Sequence, residues 1–467
     1  MEFEVSYSLD NEEQFWEELS DILSSDSTDH ELIDNALRSY LSFTTKFKGA
    51  RSGVCLRGRK LTDEDEYLQS EYDVARSSYR LTQSALFKTS KEYVRRQIVY
   101  GLLQEEDAPT LHMIAAFLLI DGRSDDETLR MMQTEGVFPR LVELTQEEQI
   151  QEDPSLHRTL LELLYEMSRI QRLTWEDLTA VNDTFVLYLF QVIEGASDDV
   201  NDPYHYPIIR VLLVLNEQYM VSSTHPAKGA RTPTPLTNRV IKALSTHGTS
   251  YKTFGCNLIL LLNRESETSL QLLILKLLYL LFQSTYTAEY FYTNDLYVLL
   301  DVILRNLLDL PSDSPPAAAL RHTYLRVLHP LLANSQLATP PHYKRAEVLK
   351  MLSLLADSGT HFAPVDETTM RLVTRCTSVP WLVPKTPLNY HDDDNDSPTT
   401  PQATEGADEP SSSPEKGAAG AGQRELARRM LGMSVKGEGA SESTLSVVQV
   451  AEHMAKPGEV TPSRGFT

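Results

Sequence analysis

The sequence predicts an all-α fold, and three observations lead to that prediction. Helical patterns of ten to twenty residues follow one another from the N-terminus to about Pro384, separated by short polar or proline-containing breaks. No stretch shows the strict alternation of apolar and polar residues that is typical of a strand. Several expected helix starts also carry side chains that can accept hydrogen bonds from free backbone N–H groups.

The expected helix starts share one pattern, in which a hydroxyl residue is followed three residues later by an acid. Such a hydroxyl can accept from the third N–H group of the helix while the acid reaches back to the cap. The pairs are Thr62 with Asp65, Ser124 with Glu127, Thr145 with Glu148, and Thr174 with Asp177.

Two kinds of helix alternate along the chain. Segments 208–215, 258–262 and 270–282 are apolar nearly all round, whereas 156–170, 296–310 and 343–356 are amphipathic. A helix that is apolar all round needs neighbours on more than one side. An armadillo/HEAT-like helical solenoid, with a repeat of roughly 40 residues and an inner and an outer layer, meets that need. A globular bundle is the alternative, and we favour the solenoid.

The composition divides the chain into two parts. Residues 1–384 form the predicted helical domain, interrupted by a polar, proline-bearing loop at 222–237. Residues 385–467 are rich in Pro, Ser, Thr, Gly and acids, including the acidic run at 392–396. A segment of this composition cannot bury enough apolar surface to order itself, so we expect a disordered C-terminal tail.

The charge balance restricts the partners. With 43 Lys and Arg against 66 Asp and Glu, the formal net charge is -23, which argues against nucleic acid or an anionic membrane and favours a protein partner with basic patches. The most apolar segment, 270–282, is shorter than the roughly 20 residues of a bilayer span, so no transmembrane segment is expected. The chain start lacks the pattern of a signal peptide, which predicts a cytoplasmic protein.

Nothing in the sequence points to catalysis. The local signatures of hydrolases, nucleotide-binding loops and zinc proteases are absent, so we expect no enzyme, no catalytic residues and no cofactor. Cys55, Cys256 and Cys376 lie far apart, which favours reduced thiols over a disulfide framework or a metal site. His205 lies in the most site-like surroundings, at 202–207, but a packed aromatic turn is the simpler interpretation.

A basic segment stands out in the acidic chain. Residues 46–60 contain six cations and three glycines. Such a segment could attract acidic partners or phosphates. A solvated loop between helices is the interpretation that we prefer, because charge runs are commonly just that.

The most informative stretch is 290–311, where three aromatic residues precede an amphipathic helix that Pro311 ends. Thr293, Asn294 or Asp295 is expected to cap this helix. Asp301, Arg305 and Asp309 are spaced by four and should form one polar stripe in which Arg305 pairs with an acid. The expected apolar face consists of Val298, Leu299, Val302, Ile303 and Leu307. The aromatic residues Tyr286, Tyr290, Phe291, Tyr292 and Tyr297 suit either core packing or an interface.

At these residues the sequence resembles the leucine-rich domain of the WISH/DIP/SPIN family of activators of the actin-nucleating Arp2/3 complex, in its fungal branch. The resemblance is carried by 291–295, 298–303, Arg305, Leu307, 309–311 and 320–328, with support upstream from 95–101 and 160–172. It covers roughly residues 90 to 385.

The resemblance implies an armadillo-like array that docks on the Arp2/3 complex and favours its active arrangement without a mother filament. The product would be a linear actin filament that seeds branched networks in endocytosis, at cortical actin patches. ATP and actin would be handled by the complex. The alternative is a passive armadillo-type adaptor that tethers endocytic proteins, including SH3-containing ones through residues 398–401, and has no nucleation activity.

The sequence differs from related activators in two ways, and both differences bear on the partners that we expect. Animal members carry an SH3 domain before the helical region, and no pattern for one is seen here. Other Arp2/3 activators end in an acidic, tryptophan-containing tail, whereas Trp16, Trp175 and Trp381 all precede the predicted tail. Delivery of actin monomers by the C-terminus is therefore not expected.

Contact residues are predicted among polar and aromatic side chains in and near the stretch 290–311, on the expectation that they face solvent. Basic and tyrosine side chains on an acidic protein are candidates for binding hot spots. The predicted residues are Tyr290, Tyr292, Arg305, Arg321, His322, Arg326 and Lys350.

Overall fold

The computed structural model describes residues 11–25, 28–48, 67–195, 205–224, 236–311, 314–356 and 365–383. These ranges contain twenty α-helices and no strand, apart from a single bridge between Lys48 and Leu68. The all-α prediction is confirmed. Within the same ranges, no helix combines the length and the apolarity that a bilayer crossing requires.

The first ten helices cover the N-terminal part of the chain. They are α1 (Glu12–Ile22), α2 (His30–Lys46), α3 (Glu71–Gln83), α4 (Ala85–Thr89), α5 (Lys91–Gln104), α6 (Ala108–Ser124), α7 (Asp126–Thr134), α8 (Val137–Leu144), α9 (Glu148–Gln151) and α10 (Pro154–Ile170).

The other ten helices follow with similar lengths. They are α11 (Trp175–Ala180), α12 (Asp183–Gly195), α13 (His205–Thr224), α14 (Arg239–His247), α15 (Lys252–Arg264), α16 (Thr268–Gln283), α17 (Thr293–Asp309), α18 (Pro315–Asn334), α19 (Arg345–Ala356) and α20 (Glu367–Thr377). A short 3-10 turn, Gln336–Ala338, separates α18 from α19.

The helices are arranged in rows. A central row consists of α3, α6, α10, α13, α16, α18 and α20, each of which packs on the helix before it and the helix after it in that order. An outer row of α12, α15, α17 and α19 follows the same direction, each helix again contacting the next. Stepwise packing of neighbour on neighbour is the arrangement of a helical solenoid. The hydrophobic core is continuous from Phe15 to Leu382.

Burial follows the rows, with two differences from the layers that the sequence predicts. The apolar segments 208–215 and 270–282 lie in α13 and α16 of the central row, as their composition predicts. The amphipathic segment 156–170 is also central, in α10, and its buried Glu166 is paired with Arg123 and Arg169. The apolar segment 258–262 belongs to the outer helix α15, where Leu260 is left 44% exposed.

The capping prediction is confirmed at Thr174. Its side chain accepts from the backbone N–H of Asp177, and the Asp177 carboxylate accepts from the backbone N–H of Thr174, so both halves of a capping box are present.

Two other predicted caps are wrong. Asp125 rather than Ser124 caps α7, because its carboxylate accepts from the backbone N–H of Glu127. Thr145 ends α8 instead of starting a helix, and its hydroxyl donates to the carbonyl oxygen of Leu141 at 3.0 Å. Side chains of both types can bond either way at a helix end, so the local pattern does not decide the position.

Several predictions fall outside the described residues. These are the cap at Thr62, most of the basic segment 46–60, the middle of the loop 222–237, the side chain of His205, and the tail 385–467 with its segment 398–401. The predicted boundary at 384 lies just beyond the last described residue, Val383.

Candidate protein-binding surface

Residues 284–292 form the connection between α16 and α17, and Tyr290 anchors this connection in the core. The ring of Tyr290 is 5% exposed, and its hydroxyl donates to the carbonyl oxygen of Tyr251. Burial raises the pKa of this hydroxyl well above its ordinary value. A Cβ atom at Gly255 would lie 2.9 Å from the Tyr290 ring, so the ring packs directly on the backbone of α15. The expectation that Tyr290 faces solvent is wrong.

Lys252, at the start of α15, links the buried tyrosine to an exposed one. Its ammonium lies 4.9 Å from the ring centroid of Tyr290 and 4.8 Å from that of Tyr292, and it donates to the carbonyl oxygen of Tyr290. Tyr292 is 61% exposed. A cation held between two aromatic rings orients both of them, so Tyr292 is presented to solvent by a fixed base.

The start of α17 differs from the prediction. The helix begins at Thr293 with Tyr292 in the cap position, and no side chain makes a cap hydrogen bond. Thr293, Asn294 and Asp295 therefore do not cap it, although Asp295 does place an acid in the first turn. The buried Tyr290 fixes where the chain enters the helix, and this replaces a polar cap.

The polar stripe of α17 pairs across helices instead of along its own helix. Arg305 donates to the side-chain oxygen of Asn263 on α15 at 2.7 Å and to that of Asn306 at 3.1 Å. Asp301 accepts from Lys344 at 2.9 Å and from the Tyr343 hydroxyl at 3.1 Å. The predicted pairing of Arg305 with an acid is wrong, because neighbouring elements bring other partners closer.

The solvent side of α15 and α17 is a mixed apolar and polar surface, which we call the outer face. It is defined by Leu260, Val298, Arg305 and Leu308, and Val298 and Leu308 are each 53% exposed. Val298 thus leaves the apolar core face on which it was expected, whereas Leu299, Val302, Ile303 and Leu307 are buried as predicted. Apolar side chains among polar ones on adjoining helices are typical of protein-binding surfaces.

The predicted contact residues are divided between surface and interior. Tyr292, Arg305 and Lys350 are exposed, and Arg305 and Lys350 lie on helices α17 and α19, which contact each other in the outer row. Arg326 is half-buried on the central helix α18. The structure therefore brings only part of the predicted set to one side of the molecule.

Arg321 and His322 are buried, so the expectation that they face solvent is wrong. Arg321 donates to the carbonyl oxygens of Leu310 and Pro311, which lie past the end of α17. His322 Nε2 lies 3.0 Å from Asp366, at the start of α20. Burial lowers the pKa of both side chains. Arg321 thus joins α18 to the residues after α17, and His322 joins α18 to the start of α20. Both contacts join residues ten or more positions apart in the chain, so no local pattern reveals them.

A buried polar cluster near the N-terminal end was not predicted. The Lys48 ammonium contacts Nδ1 of His112 on α6 and lies 3.4 Å from the carboxylate of Asp153, which caps α10. Burial lowers the pKa of Lys48, and Lys48 and His112 hold the pKa of Asp153 well below its ordinary value despite its partial burial. Within the basic segment 46–60, Lys48 is therefore a buried structural cation, whereas Lys46 is exposed.

Comparisons with known proteins cover the region of this surface. Residues 201–348 match the family described as the SPIN90/Ldb17 leucine-rich domain. Over 387 residues the chain is 28% identical to Protein dip1 of Schizosaccharomyces pombe, covering 82% of this chain and 97% of that protein. It is 28% identical over 370 residues to Protein LDB17 of Eremothecium gossypii, covering 73% of this chain and 74% of the relative.

Protein LDB17 of Saccharomyces cerevisiae is 33% identical over 248 residues, which is 51% of this chain and 48% of that protein. The matched segment 201–348 contains α15 and α17, and hence the whole outer face. The resemblance seen in the sequence is confirmed: residues 201–348 match the SPIN90/Ldb17 leucine-rich domain, and the three relatives are 28–33% identical to the chain over the aligned residues.

Proposed function

We propose that this chain activates the Arp2/3 complex and promotes nucleation of linear actin filaments without a preformed mother filament. One observation carries the proposal: the family match at 201–348 includes α15 and α17, whose solvent side exposes Leu260, Val298 and Leu308 beside Arg305. The likeness of this segment to the WISH/DIP/SPIN leucine-rich domain implies the partner, and the outer face offers a surface on which a partner can dock.

The proposed mechanism is a population shift. A ligand moves a conformational equilibrium only by as much as its affinities for the two states differ. The outer face would thus bind the filament-like arrangement of the complex more tightly than the inactive one. In this proposal the chain makes and breaks no bond, and the complex itself handles ATP and actin.

Rigidity of the docking surface supports this mechanism. Arg305 is held by Asn263, and Lys252 by the rings of Tyr290 and Tyr292, so the outer face and its neighbouring tyrosine are fixed by bonds between helices. A surface that is ordered before binding loses less conformational entropy when it docks. Such a surface can discriminate between two arrangements of a partner, because it does not adapt to both.

The same proposal places the chain in the cytoplasm, at cortical actin patches, where linear filaments would seed branched networks during endocytosis. The test uses the purified full chain with Arp2/3 complex and actin monomers, and no added filaments. Unbranched filaments growing from the complex are expected in fluorescence microscopy. Binding to the complex without new filaments would overturn the proposal and favour the passive adaptor.

A further inference from the structure

Three arginines lie where α20 packs on α18, at the C-terminal end of the central row, beside the contact of Cys376 Sγ with the carbonyl oxygen of Leu325 at 3.4 Å. Arg326 lies on α18 and is half-buried, and Arg371 and Arg375 lie one turn apart on α20 and are exposed. Burial lowers the pKa of Arg326, and the charges of Arg371 and Arg375 lower it further. The charges of Arg326 and Arg375 also act on the hydroxyl of Tyr279 on α16. We call Arg326, Arg371 and Arg375 the arginine cluster.

Several other cations of the central row are paired with carboxylates of the neighbouring helix. Arg123 on α6 pairs with Glu162 on α10 at 2.6 Å, and Lys276 on α16 pairs with Glu217 on α13 at 2.7 Å.

In the part of the chain that the structure describes, no guanidinium group of the arginine cluster forms an ion pair with a carboxylate. Burial lowers the pKa of His329 on α18, the charge of Arg375 lowers it further, and this side chain adds no negative charge. At the start of α20, Asp366 is engaged by His322 and Thr369, and Glu367, four residues before Arg371, forms no ion pair with a described residue.

Like charges four residues apart on a helix destabilise it, and a half-buried guanidinium without a counter-charge is costly. Such a group is a binding site for carboxylates, because guanidinium groups accept them in bidentate geometry. The cluster lies in a chain whose net charge is -23, where acids are abundant.

The chain itself supplies an acidic segment nearby. Residues Asp392, Asp393, Asp394 and Asp396 begin nine positions after Val383, the last described residue. The last described residues are held against α18, since the indole N–H of Trp381 donates to the carbonyl oxygen of Leu332 at 2.9 Å. Nine residues reach up to about 30 Å when extended, so the acidic run can reach the cluster.

We propose that the arginine cluster binds the acidic run 392–396 of the same chain. A tether of this length gives the run an effective concentration in the millimolar range. A free acidic peptide lacks that advantage and is repelled by the net negative charge of the protein. The contact would cover the C-terminal end of the central row, and it does not depend on the proposed function.

The test uses a fluorescent peptide of residues 388–399 and three full-length proteins. These are the natural chain, a run variant with Asp392→Asn, Asp393→Asn, Asp394→Asn and Asp396→Asn, and the run variant with Arg371→Glu and Arg375→Glu added. The run variant should bind the peptide at least about ten-fold more tightly than the natural chain, because its own tethered run no longer competes. Addition of the two glutamates should abolish binding, and added salt should weaken it.

A charge-matched control places Arg172→Glu and Arg264→Glu in the run variant instead, because both arginines are exposed and lie elsewhere on the stack. This control should keep the peptide affinity of the run variant. Equal affinity of the natural chain and the run variant, or no binding to either, would overturn the proposal. Tight binding of the natural chain to an acidic segment of another protein would also overturn it, and would assign the cluster to a partner.

Discussion

The guanidinium group of Arg95 donates two hydrogen bonds to the carboxylate of Asp121, at 2.7 Å and 3.1 Å, and both side chains are buried. Arg95 also donates to Asp125 at 2.8 Å, and the Thr128 hydroxyl donates to Asp121. This network joins α5 and α6 to the start of α7. A buried pair of this kind is stable only when complete, since removal of one partner leaves a charge without compensation.

Arg95→Leu should therefore lower the free energy of unfolding by about 3–5 kcal/mol, because Asp121 stays buried without its cation. The matched control is the next residue, Arg96, whose pair with Glu92 is 2.7 Å long but largely exposed. Arg96→Leu should cost less than about 1 kcal/mol. Urea unfolding followed by circular dichroism measures both, and equal losses would show that the Arg95 network is not a stabilising unit.

Gly255 is expected to tolerate no side chain. An alanine Cβ there would lie 2.9 Å from the Tyr290 ring and 3.2 Å from the Phe291 ring. Gly255→Ala should cost about 1–3 kcal/mol through overpacking. Gly195→Ala, at the end of α12 with nothing described within 4 Å, should leave the free energy of unfolding unchanged or raise it slightly. If thermal unfolding shows no difference between the two variants, the ring does not pack on α15 as described.

His157 makes the stability depend on pH. Burial lowers the pKa of its side chain from 6.5 to about 4. Between these values the unfolded chain binds a proton that the folded chain does not, so stability is complete above pH 6.5 and falls as the pH drops toward 4. From pH 7.5 to pH 5 this one group should remove about 2 kcal/mol.

The comparison that isolates His157 is His157→Gln, which stays neutral at every pH. Urea unfolding of both proteins at the two pH values cancels the contributions of all other groups. The natural chain should lose about 2 kcal/mol more than the variant on acidification. Identical losses would mean that His157 is protonated in the folded protein near its ordinary pKa.

The outer face can be tested by placing charges on it. Leu260→Asp with Val298→Asp changes side chains that are 44% and 53% exposed, so the fold should be retained. If these residues are hot spots, the affinity for the Arp2/3 complex should fall about ten-fold or more. The control is Leu32→Asp with Tyr72→Asp, at positions 52% and 73% exposed outside the family-matched segment. Undiminished affinity of the first variant, measured by co-sedimentation, would place the docking surface elsewhere.

The helix at 293–309 shows which features of the structure a local sequence pattern can predict. Its C-terminal end before Pro311 and the burial of Leu299, Val302, Ile303 and Leu307 follow from periodicity and proline chemistry, and the structure agrees. The pairing of Arg305 could not be predicted, because Asn263 lies 42 residues earlier in the chain and meets it only after α15 and α17 pack.

Tyr290 and Tyr292 show the same limit for aromatic residues. Two positions apart in one segment, one is buried on Gly255 and the other is exposed. The arginine cluster was not predicted from the sequence, for a related reason. Of its three members only Arg326 on α18 was singled out, and Arg371 and Arg375 come close to it only when α20 packs on α18. Their spacing of four in an acidic chain was the signal that could have found them.

The amino-acid sequence by itself determined the all-α class, the alternation of helices that must be buried with helices that can be exposed, and the resemblance to the SPIN90/Ldb17 leucine-rich domain, because these depend on periodicity and motifs within single segments. The tertiary structure alone decided which helices form the central row and which polar side chains are buried. Burial is set by what packs on both sides of a helix. The partners that supply those contacts, as for Arg95, Lys48 and Arg305, lie tens of residues away along the chain.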